Sequence, residues 1–300
     1  MKPAPFEYVR PDSVAQACEM LAADEDARII AGGQTLVPML AMRLARAAKL
    51  IDIYRLPELN GIRVEGDVLV IGATTRQVQV ERSALAMQST PLLSKALPWV
   101  GHPPTRNRGT VGGSVANADP SAEIPLVAVT LGAEIEITNP DGVTSMPADD
   151  FFIGPMLTSV MPGDCVTAVR FPIWRHARVG TAFHEVSARK SDFAFVAAAA
   201  QVALDEDGKC IAAALGIGGV GDRALRLDVA KLVGETAGTA RLKDIVAEAA
   251  AVLEPSSDLH VSAAYRMRVA VAFGVRALED AMTDACSAAT QSNRGAKQWR

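Results

Sequence analysis

The chain has 300 residues, and its 49 % hydrophobic and 21 % charged content is ordinary for a soluble globular protein of about two domains. Thirty lysines and arginines against thirty-four aspartates and glutamates leave a net charge of −4. That balance gives no electrostatic footprint for nucleic acid or an anionic membrane, so neither is expected as a partner.

The opening residues, Met1-Lys2-Pro3-Ala4-Pro5-Phe6-Glu7, hold no apolar run of signal-peptide length. No later stretch reaches the span of a transmembrane helix, so a cytoplasmic chain is expected. Val14, Ala17, Cys18 and Leu21 stand at helical spacing behind Pro11-Asp12-Ser13, which predicts a capped amphipathic helix over 13–23. Ala27 to Ala31 reads as a short buried strand running into Gly32-Gly33, and Leu36 to Ala48 as a helix. Strands are predicted at 50–53 and, after the turn Glu65-Gly66-Asp67, at 68–72, with helix over 76–97. His102 to Glu123 is polar and glycine-containing and reads as a long loop, a length that inside a compact domain points to function.

Glu134 to Thr138 alternates, turns at Asn139-Pro140-Asp141-Gly142 and returns through Val143-Thr144-Ser145, a hairpin signal. Val166 to Phe171 predicts a strand that Pro172 ends, and the polar stretch 174–178 marks a domain boundary. Strands follow near 194–204 and 211–217, then helices near 225–233, 240–253 and 261–284, and a loose polar tail over 288–300. The pattern is α+β, its C-terminal part an antiparallel sheet covered by helices on one side. The four cysteines (Cys18, Cys165, Cys210, Cys286) and four histidines (His102, His176, His184, His260) are too dispersed for metal-ligand spacing. No metal or iron-sulfur centre is expected in this chain, and no Ser-His-Asp set or carboxylate pair calls for acid-base catalysis.

Two segments carry the chemistry, Ala31-Gly32-Gly33-Gln34-Thr35 and Thr110-Val111-Gly112-Gly113-Ser114. Each joins a glycine pair to a small hydroxyl residue. Glycine lets backbone N–H groups turn toward a ligand, and the hydroxyl adds a directed donor, so the two read as lips of one anion cradle. Taken singly, either pair reads as readily as an ordinary turn.

The second pair sits in a longer run, from Gly101-His102-Pro103-Pro104-Thr105-Arg106 through Asn117 to Asp119-Pro120-Ser121-Ala122-Glu123-Ile124-Pro125. With Ala31 to Leu40 before it and Phe183-His184-Glu185-Val186-Ser187-Ala188-Arg189-Lys190-Ser191-Asp192-Phe193-Ala194 after it, this run resembles the FAD-binding medium subunit of the molybdenum hydroxylases, the family of xanthine dehydrogenase and carbon monoxide dehydrogenase. The resemblance covers roughly residues 1–285. It implies a two-lobed FAD-binding fold of the vanillyl-alcohol-oxidase type over 1–175, with subdomains of about 1–57 and 58–175, and then an α+β domain over 178–285.

By that resemblance, Ala31 to Leu36 wrap the FAD pyrophosphate, with N–H donors from Gly32, Gly33 and Gln34 and the hydroxyl of Thr35. Thr110, Gly113 and Ser114 close over the phosphates and ribityl chain. Asn117 is a polar contact near the flavin or ribityl group, and Glu123 accepts hydrogen bonds from the sugar-like hydroxyls. Val100, Gly101 and Val166 fall at backbone or apolar contact positions, and Asp192 and Phe193 at an Asp-aromatic pair beside the flavin. Gln34 stands where some flavoproteins of the broader fold carry a flavin-linked histidine, and glutamine cannot form that bond, so non-covalent FAD is expected. His184 falls where some relatives place a cofactor-contacting lysine, and Pro104-Thr105 where relatives often have Gln-Ile. Beside these roles, Glu123 reads as a helix cap, Phe193 as core, and Arg106 and Arg108 as partners of surface carboxylates.

The implied function is an electron-transfer flavoprotein subunit. A large partner would hold the molybdenum cofactor and a small partner two two-iron iron-sulfur clusters, in a dimer of heterotrimers. The external acceptor stays open among NAD, oxygen, a quinone and a cytochrome, and the large subunit chooses the substrate. The competing readings are a stand-alone FAD oxidoreductase of the same fold and a non-catalytic assembly subunit.

Overall fold

The structure is a computed structural model that describes residues 2–236 and 238–297. Its first unit is a parallel three-stranded sheet, β1 (Glu7–Val9), β2 (Ala27–Ile30) and β3 (Lys49–Asp52), with β3 in the centre. The Ser13 hydroxyl accepts from the Gln16 N–H at 3.2 Å and starts α1 (Val14–Ala22). Helix α2 (Leu36–Met42) stops short of the predicted Ala48 because Arg43 turns left-handed, φ 61°, and the Leu44 N–H folds back onto Met39 O at 2.9 Å.

The second unit is an antiparallel five-stranded sheet ordered β4-β5-β10-β6-β7. Its strands are β4 (Ile62–Glu65), β5 (Val68–Gly72), β6 (Glu134–Asn139), β7 (Gly142–Pro147) and β10 (Cys165–Pro172). Six helices connect β5 to β6. The continuous helix predicted over 76–97 is three short ones, α3 (Gln77–Glu81), α4 (Ala84–Ser89) and α5 (Pro91–Ala96). Ser83 caps the second by accepting from Ala86 N–H at 3.2 Å, and Pro91 lacks the donor a continuing helix needs.

The loop predicted over 102–123 is also mostly helical. It folds into α6 (Pro103–Arg108) and α7 (Val111–Asn117) and ends at the first residue of α8 (Glu123–Leu131). Pro103-Pro104 occupy the first turn of α6, and Thr110 caps α7. Helices of under two turns expose too little hydrophobic period to be read as helices. A last turn, α9 (Ala148–Phe151), and the small pair β8 (Phe152–Gly154) and β9 (Leu157–Thr158) close this unit.

The third unit is an antiparallel sheet of β11 (Val179–Val186), β12 (Val196–Leu204), β13 (Cys210–Gly218) and β14 (Leu225–Leu227), followed by α10 (Thr239–Ala249) and α11 (Ala263–Lys297). Strand β14 and a 3-10 turn at Ala230–Leu232 replace the helix predicted over 225–233. Strands β1, β4 and β11 had no counterpart in the sequence pattern. The loose tail expected over 288–300 falls where the structure describes helical backbone to Lys297, and residues 298–300 lie outside the described residues.

This sheet is covered on both faces. Helices α10 and α11 take one, as the pattern foresaw; α8, buried at every residue, takes the other. Leu126 of α8 packs where Gly216 and Gly218 leave room, and Ile124, Leu126 and Phe183 join one core with Ala197 and Ala199. The chain is thus an α+β fold in which an apolar helix of the second unit is shared with the third.

Candidate functional site

The first glycine segment leaves β2 at Ile30 and turns into α2 with Gly33 at φ +68°, a conformation that a side chain disfavours. The turn is held by the Gln34 side chain, whose Nε2 donates to Gly32 O at 3.1 Å. The backbone N–H groups of Gly32, Gly33, Gln34 and Thr35 have no acceptor among the described residues. Four consecutive open donors beside a hydroxyl are costly to leave unmet away from water.

The second segment presses directly on the first. A Cβ on Gly32 would stand 2.6 Å from Arg108 O and 2.9 Å from Gly109 Cα, so the two lips touch backbone to backbone. The second lip spends its own donors internally. Val111 N–H reaches Thr75 O at 3.0 Å, Gly112 N–H reaches Ala73 O at 2.9 Å, and Gly113 N–H is accepted by the buried Thr110 hydroxyl at 3.1 Å. Thr110 and Gly113 therefore satisfy each other. Ser114 and Asn117, one helical turn apart on α7 and both half-buried, carry the polar side chains of that lip.

A cleft of about 550 Å³ opens over the first lip, lined by Gly32, Gly33, Gln34, Asp52, Tyr54, Arg76 and Arg108 among others. The Arg76 guanidinium lies 3.7 Å from the centre of the Tyr54 ring and donates to Arg108 O, tying the second unit to the first. Sequence reading missed Tyr54 and Arg76, because neither belongs to a glycine motif and each acts only across the fold.

Arg106 is not a free cation for a phosphate. It is buried, pairs with Glu81 through two bonds of 2.8 and 3.2 Å, and donates to Val100 O at 3.1 Å and Gly101 O at 2.8 Å. Gly101 takes φ +48° in the turn this arginine holds. Replacing Arg106 by methionine is expected to destabilise the fold by about 2 kcal/mol, less than a fully buried pair would lose, because Glu81 keeps some water. A thermal melt of the full chain checks it.

A second cavity, of about 620 Å³, lies where Pro98 and Trp99 meet Glu185 and the loop 186–190. Trp99 and Phe183 rings, 6.3 Å apart, brace it. Asp192 and Phe193 sit further along that loop, both exposed; Phe193 is 74 % exposed and so is not core. Val166 is buried within β10 and lines neither opening. His184 faces α11, pairing with Asp280 at 2.8 Å and tilting on Phe273, so it points away from the side that Phe183 and Glu185 share.

Glu123 is the buried first residue of α8. Burial pushes its carboxyl up to about 7, with the nearby Asp119 adding to the rise and Arg106 opposing it. Glu185 is also buried, and burial together with the charge of Glu123 pushes its carboxyl up to about 8.

Comparison with known proteins gives the family. Residues 4–174 match the family described as the FAD binding domain in molybdopterin dehydrogenase, and residues 181–281 match the CO dehydrogenase flavoprotein C-terminal domain. The chain belongs to the FAD-binding medium subunits of the molybdenum hydroxylase family. Among family members, it is 40 % identical to the 6-hydroxypseudooxynicotine dehydrogenase complex subunit alpha of Paenarthrobacter nicotinovorans, over 90 % of this chain and 92 % of that one. It is 36 % identical to the carbon monoxide dehydrogenase medium chain of Afipia carboxidovorans, over 94 % and 98 %. The solved quinoline 2-oxidoreductase of Pseudomonas putida 86 superposes with a TM-score of 0.90 at 36 % identity, covering 95 % of this chain and 99 % of that chain.

As a molybdenum hydroxylase medium subunit the chain is part of an oxidoreductase and carries an FAD-binding domain. The open donors of Gly32 to Thr35 suit a diphosphate, since they offer several N–H groups within one short turn. Among the described residues, no group of three or more His, Cys, Asp or Glu side chains is placed to hold a metal ion, and no helix is long and apolar enough to cross a membrane.

Proposed function

We propose that this chain binds FAD non-covalently between its two glycine lips and passes electrons from iron-sulfur clusters of a small partner subunit to an external acceptor. A large partner holds the molybdenum cofactor, and two such heterotrimers pair in the cytoplasm. The reading rests above all on the run of unpartnered N–H groups from Gly32 to Thr35, closed by the backbone of Arg108 and Gly109. Bound FAD supplies the redox chemistry.

The residues supply binding and orientation. Gly32, Gly33 and Gln34 donate to the pyrophosphate, with the Thr35 hydroxyl beside them, while Ala31 and Leu36 shape the ends of the turn. Ser114 and Asn117 offer polar contacts along the chain toward the flavin, and Glu123 accepts from ribityl hydroxyls. Thr110 and Gly113 act through each other, capping the helix that presents Ser114. Val100 and Gly101, held by Arg106, border the flavin end, and Asp192 and Phe193 flank it from the loop. Val166 supports from the core.

Titration of the full chain with FAD, followed by its visible spectrum after gel filtration, is expected to leave flavin bands at one equivalent that acid or heat releases as free FAD. Flavin-free protein after titration would sink the proposal. Reduction of the bound flavin by NAD(P)H or a substrate with no partner subunit present would replace electron transfer by a stand-alone activity.

A further inference from the structure

Glu185 is the most poorly explained polar group in the described structure. It is only 8 % exposed, lines the cavity beside Trp99, and neither carboxyl oxygen has a hydrogen-bond partner. A buried carboxyl with two empty positions is costly, and native proteins keep such groups where a ligand completes them.

Its surroundings decide the form in which it waits. Glu123 at the head of α8 is its charged neighbour, with Asp119 just before that helix. Arg106, the nearest fixed cation to Glu123, is already engaged by Glu81, and β12 presents Ala197 opposite. Arg189 and Lys190 border the cavity on the exposed loop and make no ion pair with Glu185. At the free edge of β11, Lys95 and Asp284 bond to each other and to the Thr181 backbone, and on its far face His184 pairs with Asp280. Burial and a like charge with no counterion favour the neutral acid. The chain thus holds two buried carboxyls, far apart in sequence, that share one corner of the domain junction.

We propose that Glu185, as the neutral acid, recognises the pyrimidine edge of the flavin, its O–H donating to a ring carbonyl and its own C=O accepting from the adjacent ring N–H. A carboxylic acid presents this donor and acceptor side by side, whereas a carboxylate only accepts. Glu123 keeps the acceptor role toward the ribityl hydroxyls. The inference rests on the FAD site proposed above.

FAD titrations of the full chain from pH 6.5 to 9.5 test it. Wild-type affinity is expected to fall at least about tenfold as pH rises through about 8, where ionisation turns the donor into a second acceptor. E185Q, which keeps a donor and an acceptor but does not titrate, should bind at pH 6.5 within about threefold of wild type and lose the fall near pH 8, so that a change left near pH 7 belongs to Glu123, while E185A should bind about tenfold more weakly. Affinity that rises with pH, or E185Q as weak as E185A, overturns the proposal, and the wild-type titration alone decides the sign if E185A proves unstable.

The flavin-free chain gives an independent readout. Between the ordinary glutamate value near 4.5 and about 8 the folded state holds a proton that the unfolded state has lost, so stability falls as pH rises through that window. E185Q removes this loss and should gain about 5 °C in melting temperature over wild type on going from pH 5 to pH 9. Equal shifts in both proteins overturn the neutral-acid state. Absence of FAD binding at every pH would instead overturn the underlying site.

Discussion

Replacing Gly32 by valine is expected to weaken FAD binding at least about 100-fold, which corresponds to about 2.7 kcal/mol. The cause is local. A Cβ at this position would lie 2.6 Å from Arg108 O and 2.9 Å from Gly109 Cα, both backbone atoms that cannot rotate aside. Relief requires the lips to separate, and the second lip is anchored by Gln77 N–H on Gly109 O at 3.0 Å and Val111 N–H on Thr75 O at 3.0 Å. The first lip must therefore move, carrying the four open N–H groups away from their common target. Gly154→Ala, where a Cβ meets nothing within 4 Å, serves as control and should bind FAD within about twofold of wild type. Isothermal titration on both variants, with circular dichroism to show retained fold, checks the expectation. Unchanged affinity in Gly32→Val would mean that the lips do not close on the cofactor.

The contrast between Gly32 and Gly113 shows what was legible in the sequence. Both glycine pairs could be read as lips of a candidate cradle, because glycine and small hydroxyls are the residue types that such a turn needs. Their division of labour was not. Which N–H groups remain open depends on Thr75 and Ala73, whose carbonyls consume the second lip's donors, and that pairing exists only once β5 and α7 are packed. The same reason hid Tyr54, Arg76 and Glu185. Glu185 lies within Phe183 to Ala194, yet nothing in that stretch says that its neighbour His184 turns to Asp280 while Glu185 turns inward to Glu123. Strand alternation separates the two once β11 is recognised, and β11 was not, since Val179 to Val186 follows no clean polar-apolar pattern: its far face is itself buried under α11.

Secondary structure followed a similar rule. Long periodic segments, the helical character of 76–97 and the 134–145 hairpin were readable, whereas the breaks between α3, α4 and α5 and the short helices α6 and α7 were not, because each is set by a cap or a proline and by contacts rather than by a hydrophobic stripe. The stretch expected as a functional loop over 102–123 is thus a chain of capped turns. In the FAD site proposed above, such turns would hold Arg108 O and Gly109 in contact with Gly32.

Replacing Gly180 by valine or alanine should be the most destabilising single change in the third unit, costing about 3 kcal/mol and about 10 °C in melting temperature. Valine ordinarily favours a strand, so propensity alone would predict stabilisation. Packing decides otherwise. At Gly180 the strand β11 meets α11 so closely that a Cβ would overlap Ala281 O and Ala285 N and stand 2.9 Å from Ala285 Cα. All three are backbone atoms of a helix whose inner face is small, with Ala270, Ala277, Ala281 and Ala285 fully buried, so no side chain can yield. The helix would have to lift, opening gaps along β11 and β12 and straining Arg266, which ties α11 to Phe195 O and Gly219 O. Because the clash begins at Cβ, Gly180→Ala should already carry most of the loss and the valine variant add little, the reverse of a propensity effect. Melting curves of the two variants separate these cases: an alanine variant within about 1 °C of wild type would refute the close approach. The lifted helix also bears on the FAD site proposed above. The other face of β11 carries Phe183 and Glu185, so any tilt that admits a side chain at Gly180 moves the wall of the cavity beside Trp99, and FAD affinity should fall along with stability.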